Sequence, residues 1–170
     1  MIRLLGRLSH ADERLLVGLL LRRSPAADTV MRLITRLGDV EVIAPLTIAL
    51  ALGLVPAVRD AAVAAFWSGA ASHMMVQVMK RRVCRKRPQL PVGLGFLIEP
   101  EDRFSFPSGH AAAGLSVALP LALALDGAAG AGVLALGLGI GVSRCYLGVH
   151  YPGDVVVGWC LASVAFLLVP

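Results

Sequence analysis

Between two apolar runs the chain reads Ser143-Arg144-Cys145-Tyr146-Leu147-Gly148-Val149-His150-Tyr151-Pro152-Gly153-Asp154. A carboxylate close to a histidine fixes the tautomer and orientation of the ring. It also stabilises the positive charge that the ring acquires when it reacts. An arginine at the same place is permanently charged and suits an oxyanion. Taken alone, the stretch is equally compatible with an Arg–Asp structural ion pair beside a capping histidine.

Two other segments carry polar chemistry. Lys80 to Pro88 reads KRRVCRKRP. On its own this is a juxtamembrane basic cluster that attracts anionic headgroups or fixes topology. Nucleic acid is not expected as a partner, because no aromatic platform accompanies the charge. Phe106 to His110 reads FPSGH. Proline, serine and glycine fit the start of a helix, whose free amides and dipole bind an anion. A plain first turn capped by Ser108 accounts for the same residues, but it leaves His110 in a first helical turn without a purpose.

The elements that must hold these segments are apolar. Of the 170 residues, 57% are hydrophobic and 16% are charged, and the mean hydropathy is +0.77. This composition predicts an all-α, polytopic membrane helix bundle over residues 1–170 as a single domain. The three cysteines, Cys84, Cys145 and Cys160, show no CxxC spacing, so neither a disulfide framework nor a zinc site is indicated. His10 to Leu37 alternates leucines and arginines at helical spacing, with a break at Ser24-Pro25. This predicts a pair of interfacial amphipathic helices, an ordinary packed surface helix being the plainer alternative. A retained N-terminus is expected, since Asp12 and Glu13 interrupt any signal-peptide pattern. Five spanning runs follow, over Val40–Val58, Ala61–Met79, Ser108–Leu125, Gly130–Val142 and Val155–Val169. The first would cover about 28 Å, near the thickness of the hydrocarbon. Arg59-Asp60 and Asp126-Gly127 are read as tight turns, and Lys80 to Asp102 as a loop broken by prolines and glycines. His73 and Gln77 are read as hydrogen-bonding between helices.

The parity of these spans brings Lys80–Pro88, Ser108–His110 and Ser143–Asp154 to one membrane face. Fixed cations, helix amides, two histidines and a carboxylate then share one location. Phosphoryl transfer needs that set, because its transition state spreads negative charge over the equatorial oxygens. One histidine can attack while the other gives a proton to the leaving oxygen. No carboxylate cluster for magnesium is evident in the sequence, so metal-free chemistry without a cofactor is expected.

At this point the sequence resembles the type 2 phosphatidic acid phosphatase family of membrane lipid phosphatases. Lys80, six residues and Arg87-Pro88 match its first motif. Pro107-Ser108-Gly109-His110 matches the second. Ser143-Arg144, five residues, His150, three residues and Asp154 match the third. The resemblance implies a catalytic set of His150, His110 and Asp154. His150 would form a phosphohistidine, Asp154 would orient it, and His110 would protonate the leaving oxygen. Lys80, Arg87, Ser108, Gly109 and Arg144 would bind the phosphate, with no metal.

The expected partners are a lipid phosphate substrate and membrane lipids. Many relatives have six spans; this chain is read as lacking the first. Arg3, Arg7, Arg14, Arg22, Arg23, Arg32 and Arg36 then fall on the active-site face, against Arg59 alone on the other. The positive-inside rule predicts a cytoplasmic site in a bacterial inner membrane. The substrate expected first is a polyprenyl-phosphoryl sugar phosphate of the decaprenylphosphoryl-phosphoribose type. Phosphatidylglycerol phosphate and undecaprenyl pyrophosphate are the alternatives. Rival activities are a lipid phosphotransferase, a vanadium haloperoxidase and a non-enzymatic lipid-binding scaffold.

Overall fold

The structure is a computed structural model that describes residues 2–169, with side chains described from His10 onward. The Arg3 and Arg7 side chains, counted in the charge bias, lie outside that range. Helix α1 runs over Ile2–Leu20 and α2 over Pro25–Arg36. Ser24 starts the second: its hydroxyl accepts the Ala27 amide, Pro25 fits the first turn, and Asp28 and Arg36 sit at the dipole ends that favour them. Leu16 and Leu20 of α1 are buried with Ala111, Cys145 and Val155. Leu15, Leu21, Val30 and Leu33 stay exposed. One apolar stripe therefore packs on the bundle and another faces outward.

The predicted first span does not form as one rod. Helix α3 is Val40–Ala51, 12 residues. A turn follows in which Gly53 takes φ +98°, then a short 3-10 helix at Pro56–Val58 and α4 over Arg59–Val83. The axis bends by 102° across this break. The turn thus precedes Arg59-Asp60, which open α4 instead of forming the connection. At its other end α4 continues past Met79, so Lys80 to Val83 are helical and the loop begins at Cys84, which caps the helix in the left-handed region.

Helices α5 (Gly109–Ala124), α6 (Gly127–Tyr146) and α7 (Pro152–Leu168) complete the bundle. α6 begins before the predicted Gly130 and ends beyond the predicted Val142, because Leu147 closes its last turn onto Ser143 and Cys145 carbonyls. α6 is long and apolar enough to cross a membrane by itself, and α3 with Pro56–Val83 passes as a bent pair. α5 and α7 are shorter apolar helices. α5 lies at the centre, packed against α4, α6 and α7. Small residues permit this, since between helices in lipid close backbone approach replaces the hydrophobic effect. Ser116 of α5 donates to Ser72 of α4 at 2.8 Å, with both residues buried. Gly158 lets α7 meet the start of α5: a Cβ there would lie 2.6 Å from the Ser108 carbonyl.

Candidate active site

Three backbone links draw the motif segments to one end of the bundle. Ser108 N–H donates to the Asp154 carbonyl at 3.0 Å, Ser105 N–H to the Arg85 carbonyl at 2.8 Å, and His150 N–H to the Arg144 carbonyl at 3.3 Å. The α6–α7 turn is therefore wound back on the end of α6, with Gly148 at φ +89°. Tyr151 then caps α7 and Pro152 fills its first turn. Asp154, at the third position, accepts the Tyr151 amide at 2.9 Å. One carboxylate oxygen is thus spent on a capping box, and this fixes Asp154 before any chemistry.

The other Asp154 oxygen accepts from Arg85 at 2.7 Å. Arg85 also donates to Asp12 of α1 at 2.9 Å and stacks 4.1 Å from the Tyr151 ring centre. Burial pulls the Arg85 guanidinium down, but Asp154 and Asp12 outweigh it and hold the charge more firmly than usual. Arg85 was one of several cations in the basic run; no spacing distinguished it.

His150 is 2% exposed and Asp154 is 0% exposed. Arg87 Nη1 stands 3.1 Å from His150 Nε2. A guanidinium can only donate, so Nε2 carries the lone pair and Nδ1 the proton. Nδ1 makes no hydrogen bond and points at Asp154 Oδ2 from 3.6 Å. A small tightening would join them. Burial lowers the proton affinity of His150, Asp154 opposes that, and the Arg87 and Arg144 charges add to it, giving a pKa of about 4. The ring is neutral at physiological pH, as a nitrogen nucleophile must be.

The remaining cations are held by a carboxylate pair that sequence reasoning did not single out. Asp102 binds Lys80 and receives Arg87 Nη2 at 3.0 Å. Burial raises the Asp102 carboxyl, but Lys80, the Phe104 amide and Arg87 together bring it below the usual range. Glu101 accepts from Arg144 at 2.7 Å, and Thr35 of α2 takes the other Arg144 nitrogen at 2.9 Å. His110 lies on the same chain of contacts: its Nδ1 is 3.4 Å from Glu101 and its Nε2 donates to Asp39 at 2.8 Å. Ser108 caps α5 through the Ala111 amide at 3.4 Å, and Gly109 opens the helix. Asp39, Glu101 and Asp102 come from segments without periodic or motif signal, and the helical pattern around Thr35 does not mark it, so only the fold reveals them.

Asp39, Glu101 and His110 each bring one donor atom within 4.8 Å of the others. The Glu101 oxygen that lies 3.4 Å from His110 Nδ1 is the one bound by Arg144. A fixed cation there competes with any metal ion for that oxygen. A cavity of about 260 Å³ opens beside these groups, lined by Arg32, Thr35, Arg36, Asp39, Glu101 and Arg144 among others.

Known proteins supply a context for this arrangement. Decaprenylphosphoryl-5-phosphoribose phosphatase of Mycobacterium tuberculosis is 33% identical over 98 residues, 58% of this chain and 53% of that protein. The chain thus spans about half the length of that curated relative. The structure of Aquifex aeolicus LpxE superposes with a TM-score of 0.80 at 25% identity, covering 91% of this chain and 92% of the other. A transmembrane PAP2-type phosphatidylglycerolphosphate phosphatase from Bacillus subtilis superposes with a TM-score of 0.76 at 27% identity, covering 96% and 84%. Residues 61–170 match the family described as the PAP2 superfamily, and they contain all three motifs. The chain is a member of the PAP2 superfamily.

Proposed function

We propose that this chain is a membrane lipid phosphatase that works through a phosphohistidine. The observation that carries the reading is His150: a buried, neutral imidazole whose Nε2 faces Arg87 and whose Nδ1 faces Asp154. Nε2 donates its lone pair to phosphorus while the bond to the leaving oxygen breaks. The proton on His110 Nδ1 passes to that oxygen. Lys80, Arg87 and Arg144 hold the equatorial oxygens, with Ser108 and the Gly109 amide at the start of α5. Water then attacks phosphorus, the P–N bond breaks back onto Nε2, and neutral His110 takes the proton from water. A lipid hydroxyl in place of water would make the enzyme a phosphotransferase.

The substrate we favour is a polyprenyl-phosphoryl sugar phosphate, which the likeness to the mycobacterial phosphatase supports. Phosphatidylglycerol phosphate is the second reading, supported by the Bacillus subtilis structure, which covers nearly the whole chain. The exposed stripe of Leu15, Leu21, Val30 and Leu33 beside arginines suits helices lying at the headgroup layer. A site at that level would keep the tail in lipid. The N-terminal arginines favour a cytoplasmic site.

The test is phosphate release from a panel of lipid phosphates by purified protein, with and without EDTA. Turnover that survives EDTA supports the metal-free scheme, and the preferred lipid selects the subclass. His150→Ala should lose at least about a thousandfold in kcat and should no longer trap an acid-labile phosphoryl group. Near-normal turnover in that variant removes the nucleophile assignment.

A further inference from the structure

The junction between α2 and α3 lies outside the family-matched region, yet it touches the site twice. The Thr35 hydroxyl oxygen accepts from Arg144 Nη1 at 2.9 Å. Asp39, three residues before Val42 and at the N-cap of α3, does not cap its own helix with its side chain. It accepts instead from His110 Nε2 at 2.8 Å. Gly38 makes this approach feasible. A Cβ at that position would lie 2.6 Å from Ile140 Cγ2 and 3.0 Å from His110 Cδ2. The backbone therefore runs against the imidazole, and the next side chain reaches round to its outer nitrogen.

A histidine offers two nitrogens, and the bond made by one decides what the other can do. A carboxylate can only accept, so Asp39 places a proton on Nε2. Nδ1 is then the working nitrogen. It faces Glu101, the same carboxylate that Arg144 binds, so it points toward the cations assigned to phosphate.

We propose that Asp39 is a positioning residue for His110, holding the ring with Nδ1 toward the leaving oxygen and balancing the imidazolium before it gives up its proton. The proposal rests on the general-acid reading of His110 given above. It assigns to the α2–α3 junction the service that Asp154 gives His150, so each histidine has its own carboxylate on a different element.

Two measurements test it. The first compares kcat/KM for an alkyl lipid phosphate, a poor leaving group, with that for p-nitrophenyl phosphate, an activated one, in wild type, Asp39→Asn, Asp39→Glu and His110→Ala. Asp39→Asn should lose about ten- to a hundredfold on the alkyl phosphate and less than threefold on the aryl phosphate, with Asp39→Glu recovering part of the difference. An equal loss on both substrates in Asp39→Asn, beside a leaving-group-dependent loss in His110→Ala, overturns the role of Asp39 and leaves the acid assignment standing. A His110→Ala loss independent of leaving group overturns the acid assignment and the proposal together. The second measurement reads the wild-type chain. Nitrogen-15 spectra of the histidines in the full wild-type chain, assigned through His110→Gln, should show His110 Nε2 carrying a proton at neutral pH, in the imidazolium or in the Nε2–H form left once Nδ1 has given up its proton. The Nδ1–H tautomer overturns the proposal.

Discussion

A histidine nitrogen attacks phosphorus only while its lone pair is free. In His150 burial, with the Arg87 and Arg144 charges, outweighs Asp154, so the pKa falls to about 4. The sign follows directly: the neutral ring prevails above that pH and is lost below it. After allowance for the second ionisation of the substrate phosphate, near about 6, kcat/KM should fall on the acid side near pH 4. Asp154→Asn should move that limb lower and Arg87→Gln should move it higher. A limb at the ordinary histidine value of about 6.5 would show that the ring is not held in this environment. The same depression costs stability as pH falls between those two values, because the unfolded chain takes up the proton first. His150, Asp154 and Arg144 were legible in the sequence because their spacing is set by one turn and the first turn of α7. Asp39 and Arg85 were not. Their meaning comes from partners far along the chain, and one cation in KRRVCRKRP looks like the next.

Elements decide how the proposed phosphate site is held when two carboxylates lie against it. The segment from Cys84 to Ser108 is closed at its neck by the Lys86–Phe104 bridge and by Ser105 donating to the Lys86 carbonyl at 3.0 Å. Farther out, Leu97 N–H donates to the Leu147 carbonyl at 3.1 Å, and Arg23 donates to the Gly95 carbonyl at 2.7 Å. This tethering delivers Glu101 and Asp102 to Arg144, Lys80 and Arg87, the cations assigned to phosphate oxygens. In the proposed mechanism a phosphoryl group displaces them. Pairs this exposed are each worth about 1 kcal/mol or less, and about 1.4 kcal/mol is tenfold in affinity. The double variant Glu101→Gln, Asp102→Asn should therefore bind the competitive inhibitor orthophosphate up to about tenfold more tightly. Unchanged inhibition would mean that the carboxylates do not compete. The sequence predicted a loop here but not its order, which comes from hydrogen bonds between distant segments. The α3–α4 turn was hidden for a different reason. Val40 to Val58 is apolar apart from Glu41 and Thr47, so hydropathy runs straight through a bend that Gly53 and Pro56 mark only in retrospect.

At the scale of the whole molecule, the convergence of three segments on one end of the bundle was readable from the parity of the helices alone. Which leaflet that end meets is a matter of charge. The cytoplasmic placement proposed above gives a direct measurement, because Cys84 is exposed at the active-site end of α4 and Cys145 is buried. With Cys145 and Cys160 replaced by alanine, a membrane-impermeant maleimide should label Cys84 in inverted vesicles and not in intact spheroplasts. The opposite pattern would put the site on the outer surface. Asp12 adds a consequence for protein engineering. It receives Arg85 and also accepts the Gly153 amide at 2.7 Å, so the first helix is clamped to the turn that presents His150. A chimaera that joins residues 61–170 to a foreign leader would inherit every signature residue, yet it would strip Arg85 of one counter-ion and Gly153 of its acceptor. Swapping specificity among relatives thus calls for moving the front helices and the motif bundle together as one cassette.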